Sequence, residues 1–149
     1  MKKILIPLVI FFLLAFGFMA YFYSERLDNI NNRAEIAKYI AQALEEDTLH
    51  VEFHGRDFPL GSEHSYRLLE NFSWGQTQRR RIWSAPDEYR DKITFFMGDL
   101  TLTVYSLDSE PQADVIEKNI GGQMRWFKLE KFNLFRRMET FVAGSDEGS

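Results

Sequence analysis

Apolar residues are spaced along this chain in three ways: an unbroken run, a recurrence every third or fourth residue, and strict alternation. The unbroken run comes first. Residues 4–23, ILIPLVIFFLLAFGFMAYFY, contain no charge over twenty positions. A helix of that length spans roughly 30 Å, the hydrocarbon thickness of a bilayer. Lys2 and Lys3 precede the run, and Tyr21, Phe22 and Tyr23 close it as an interfacial aromatic belt would. Pro7 falls in the first turns, where proline is tolerated. Residues 1–23 are therefore expected to be a transmembrane signal-anchor. Met1-Lys2-Lys3 favours a cytoplasmic N-terminus, since Arg26 and Arg33 on the far side are offset by Glu25 and Asp28. The alternative is a signal peptide cleaved after Ala15-Phe16-Gly17, but cutting there leaves FMAYFY as an apolar new N-terminus. Either way the remaining chain is expected outside the cytoplasm.

The helical spacing follows. In residues 24–47, Leu27, Ile30, Ala34, Ala37, Ala41 and Leu44 recur at intervals of three and four, predicting a juxtamembrane amphipathic helix. It reads either as a short coiled-coil stalk or as a helix packing on its own domain. Ile36 and Ile40 lie off that stripe.

Alternation dominates the rest. LHVEFHG, residues 49–55, reads as a strand with Leu49, Val51 and Phe53 on its buried side. Pro59-Leu60-Gly61 reads as a turn. SEHSYRLLENF, residues 62–72, reads as a helix with Ser62 or Ser65 as cap. RRRIW, residues 79–83, predicts a strand ended by Ser84-Ala85-Pro86. Residues 92–108 predict a hairpin around Gly98-Asp99, and residues 114–131 a second around Gly121-Gly122. Residues 132–141 predict a short helix, and 143–149 a disordered tail. The fold class expected for residues 48–142 is α+β: a small, mostly antiparallel sheet with helices on one face, preceded by the transmembrane helix.

This layout from Leu49 to Phe141 resembles the small extracytoplasmic domains of Gram-positive bacteria called YhfM-like. The likeness rests on the opening strand, YRLLENF, Ala85-Pro86, the KITFFMGDLTLTVYS hairpin, and the W-F-K-L strand at 126–129. It implies an extracytoplasmic, membrane-linked location. It carries no catalytic motif, so it assigns no role to any residue. The chain also lacks the acylated cysteine common in such proteins. A type IV pilin plan requires a glycine just before the apolar run and a glutamate at its fifth position. Gly17 stands late in this run and no acid lies within it.

Composition narrows the chemistry. The chain has 149 residues, 45% hydrophobic and 27% charged, enough for one small packed domain plus an appendage. With no cysteine, disulfides, thiolate metal sites, thiol catalysis and a lipoprotein anchor are excluded. Net charge is −4, which gives no general attraction for nucleic acid.

The best catalytic lead is His50, Glu52 and His54. Alternate residues of a strand share a face, but at about 3.3 Å per residue the two histidines stand about 13 Å apart. Zinc–nitrogen bonds are about 2.0–2.1 Å, so a regular strand cannot bring both to one ion. His64, beyond the predicted turn, is the residue that could complete a site with His54. His50, His54 and His64 are thus the metal candidates, and the expectation is a solvated strand face with no metal, cofactor or catalytic residue. The one dense basic run, QTQRRRIW, makes Arg79, Arg81 and Trp83 the candidate contacts for a partner or an anionic polymer. The expected function is a non-enzymatic binding or structural module of the cell envelope, with the membrane as first partner and another envelope protein as a second. The alternatives are a metal-dependent or hydrolytic enzyme using His50, Glu52 and His54, and a regulatory subunit of a membrane complex.

Overall fold

A computed structural model of the chain describes residues 2–61, 80–82, 84–130 and 133–147. The chain divides into two compact units, Met1–Ala34 and Glu35–Ser149. The first is helical throughout its described length, as the N-terminal part of α1 (Lys2–Glu45). It contains the one stretch among the described residues that is long and apolar enough to cross a membrane.

The second unit opens with the last turns of α1. Seven strands follow among the described residues: β1 (His50–Phe53), β2 (Arg56–Pro59), β3 (Arg80–Ile82), β4 (Asp91–Met97), β5 (Leu100–Ser106), β6 (Ala113–Ile120) and β7 (Gln123–Glu130). Helix α2 (Leu134–Glu147) closes the unit. The strands form one antiparallel sheet in the order β2-β1-β4-β5-β6-β7-β3. The expected α+β architecture is what the chain adopts.

Two-residue turns set the registers. Gly121 and Gly122 both have positive φ (55° and 86°), as a type I′ turn demands, and this pairs Ile120 with Gln123. The β4–β5 turn needs the left-handed region only at Gly98 (φ 61°), and Met97 pairs with Leu100. Alternation then divides the sheet into two faces. Ile93, Phe95 and Met97 of β4 sit opposite Val104, Leu102 and Leu100 of β5, all buried. Val51 and Phe53 extend that face on β1, and Ile116 extends it on β6. Leu134, Phe135 and Met138 of α2, and Ile36 and Ala43 of α1, belong to the same core cluster. Both helices therefore cover one face. Lys118 also lies on this face, only 3% exposed, and its Nζ reaches Glu35 Oε2 on α1 at 2.6 Å. A buried ammonium is tolerated because it is paired.

Three details differ from the sequence expectation. First, the chain reverses at His54-Gly55, and Pro59 ends strand β2 instead of forming a turn. Proline fits there because β2 is the edge strand of the sheet among the described residues. Second, α1 buries Ile36 and Ala43, with Tyr39, Ile40 and Leu44 packed beside them. Of the predicted stripe, Leu27, Ile30, Ala34 and Ala41 are exposed. Two stripes of the helix satisfy 3–4 spacing, and the sheet takes the one with the larger side chains, which removes more apolar area from water. Third, α2 continues through 143–147, where a disordered tail was expected. Ser145 Oγ donates to the Phe141 carbonyl within that extension. The predicted helix at 62–72 lies outside the described residues.

Candidate functional site

The His-x-Glu-x-His stretch does not converge. His50 and Glu52 are β1 residues, but His54 has left the strand. It occupies the first turn position with φ 51°, and Gly55 follows at φ 72°. Two positive φ values make a type I′ turn, and histidine is among the non-glycine residues enriched in that region. Strand geometry therefore places only His50 and Glu52, and the turn re-aims His54.

Each histidine finds its own aspartate. His50 Nδ1 lies 2.6 Å from Asp57 Oδ1 on β2, and its ring stacks on Phe96 with centroids 4.7 Å apart. His54 Nε2 lies 2.8 Å from Asp91 Oδ2 at the start of β4, and its ring stacks on Phe53 at 3.8 Å. Asp91 Oδ1 also accepts the Lys92 backbone N–H. These are solvent-exposed pairs, with His54 61% and Asp57 63% exposed, so each contributes about 0–1 kcal/mol. They tie the β1–β2 hairpin together and to β4.

A histidine–carboxylate pair is also the orienting half of a nucleophilic triad. Ser106 stands opposite Asp91 in the β4–β5 register, but it is fully buried and its Oγ accepts from the Arg90 guanidinium. It offers no attacking hydroxyl. Among the described residues, no group of three or more His, Asp or Glu is arranged to hold a metal ion. His64, Arg79 and Trp83 lie outside the described residues. Arg81 is a β3 residue whose backbone pairs with Phe127.

A different constellation occupies the sheet face turned away from the helices. Glu117 on β6 pairs across the strands with Trp126 on β7. Trp126 Nε1 donates to Glu117 Oε2 at 2.9 Å, and Tyr105 Oη donates to the same oxygen at 3.4 Å. Tyr89 sets its ring edge-on to Tyr105, centroids 5.0 Å apart. Beside it, Thr94 and Thr103 hydroxyls meet at 3.3 Å, and Lys128 bridges to Glu110. No local sequence pattern marks this group as a whole. The Glu117–Trp126 pair follows from the Gly121-Gly122 turn by counting outward equally on both sides. Tyr105 joins only through the β5–β6 register, which the loop at 107–112 sets without a turn signature.

Burial, then the charge and hydrogen bond of Glu117, raise the Tyr105 phenol from its ordinary 10.0 to about 12. The folded protein thus keeps a proton that the unfolded chain loses near pH 10. The stability this contributes is present below pH 10 and is lost as pH rises towards about 12. Replacing Glu117 with glutamine removes the charge. Phenolate absorbance, compared between the Glu117→Gln protein and the same protein carrying Tyr105→Phe, should then show Tyr105 ionising closer to pH 10. An unshifted titration would mean that Glu117 does not act on the phenol.

The architecture defines an antiparallel-sheet α+β domain behind a long apolar N-terminal helix. No family model, curated protein or solved structure matches the chain.

Proposed function

We propose that the protein is a single-pass membrane protein of the cell envelope, with a cytoplasmic N-terminus and its α+β domain outside. There the domain acts as a non-catalytic binding or structural module. One observation carries the membrane assignment. The large apolar side chains from Val9 to Tyr23 stand in solvent, from 49% exposed at Val9 to 70% at Met19. A contiguous surface of that kind in water would drive association, and a bilayer relieves it. Lys2 and Lys3 on one side, against the mixed charges Glu25, Arg26 and Asp28 on the other, support the orientation. The layout resembling YhfM-like extracytoplasmic domains points the same way. The separation of His50 and His54 onto different aspartates favours binding over metal-assisted hydrolysis.

Topology is testable because the chain has no cysteine. Asp108 is exposed in the connection between β5 and β6. Asp108→Cys should react with a membrane-impermeant maleimide on intact cells, and Lys2→Cys only after lysis. The opposite pattern would overturn the orientation.

A further inference from the structure

We propose that the sheet face opposite the helices binds an uncharged β-linked glycan chain, with Tyr89, Glu117 and Trp126 as its principal contacts. This rests on the domain lying outside the membrane.

The first argument is composition. Strand registers place Thr94, Thr103, Glu117 and Trp126 in one row across β4, β5, β6 and β7. Hydroxyls, a carboxylate and an indole thus occupy the middle of the face, bordered by the Tyr89 and Tyr105 rings. Sugars present the same mixture: C–H faces that pack on aromatic rings, and hydroxyls that need donors and acceptors.

The second argument is order. Trp126 and Tyr105 both donate to Oε2 of Glu117. Two aromatic side chains are therefore held before any ligand arrives, which lowers the entropy lost on binding. No described residue bonds Oε1 of Glu117, which can accept a ligand hydroxyl in a bond of the charge-assisted kind. Tyr89 is 45% exposed, so an aromatic surface remains open at the edge of the constellation.

The third argument is charge. Strand registers put Lys92, Lys128 and Arg80 on this face, and Lys128 is bridged to Glu110. Glu52, Asp57 and Glu117 bring three carboxylates to the same face. With no cationic excess among the described residues, a phosphate-rich or otherwise acidic polymer gains no electrostatic attraction, whereas a neutral chain has no charge to desolvate. Neighbouring strands are about 4.8 Å apart, close to the repeat of a β-1,4-linked pyranose chain. Adjacent sugars on Glu117 of β6 and Trp126 of β7 fit that spacing, whereas Thr103 is buried at 7% exposure.

The test uses the full chain in nanodiscs, titrated calorimetrically with chitohexaose, with cellohexaose and with polyphosphate. Saturable binding of either neutral hexasaccharide is expected, weakened about tenfold or more by Tyr89→Ala and by Glu117→Gln, since one lost charge-assisted contact is worth about that factor. Both variants should keep the wild-type far-ultraviolet circular dichroism spectrum, because Tyr89 is a surface residue and glutamine keeps the shape of glutamate. The inference is overturned if neither hexasaccharide binds, if either variant binds as the wild type does, or if only polyphosphate binds. Failure here with Asp108→Cys still labelled on intact cells rejects the glycan site alone. An unlabelled Asp108→Cys rejects the envelope location itself.

Discussion

Replacing Phe95 with alanine should cost the domain about 3–5 kcal/mol, a large share of the roughly 5–15 kcal/mol that holds a protein of this kind together. Phe95 is fully buried on β4, paired with Val51 on one side and Leu102 on the other, and it belongs to the cluster that both helices cover. No side chain nearby can collapse into a void of that size without breaking its own contacts, so the cavity term adds to the lost transfer energy. Phe96 is the control. It is the next residue along the same strand, half-buried on the opposite face, where it stacks on His50. Phe96→Ala should cost about 1 kcal/mol, the worth of one aromatic contact and partial burial. Urea unfolding of the two variants, followed by near-ultraviolet circular dichroism, separates them by midpoint. Equal midpoints would contradict the assignment of the two faces.

The second large effect concerns the apolar half of α1. Leu13→Arg and Phe16→Arg place two charges in the middle of the charge-free run, each costing about 2.5–3.5 kcal/mol at a bilayer centre. Combined, they should shift the protein from the membrane pellet to the soluble fraction after alkaline carbonate extraction. Glu25→Arg, at the end of the run, should leave it in the pellet. If the double variant stays with the membrane, the helix is not the anchor. The domain should remain folded in either fraction, because Leu13 and Phe16 lie in the first compact unit and the core cluster lies in the second.

Much of the fold was legible because local chemistry is strong there. Gly98 and Gly121-Gly122 sit where the backbone needs the left-handed region, and each two-residue turn sets the pairing of the strands beside it. Leu49, Val51 and Phe53 were read as buried from alternation alone, and they are. His54 was harder, because a histidine in a type I′ turn leaves no glycine at the first position to mark it. Placing it on the strand made a triplet of three residues where the chain has two pairs, His50–Asp57 and His54–Asp91. Asp91 is 37 residues from His54, a distance over which no local pattern operates.

The sequence by itself determined the elements and their local geometry: an apolar helix long enough to cross a bilayer, two glycine-turned hairpins and an alternating core. These follow from interactions within a few residues, where steric limits and hydrophobic spacing leave few choices. The tertiary structure alone decided which stripe of α1 is buried and which aspartate each histidine meets. It also decided that Tyr105, Glu117 and Trp126 share one carboxylate oxygen. Each of these depends on which strands become neighbours, and strand order is settled by packing the sheet against α1 and α2.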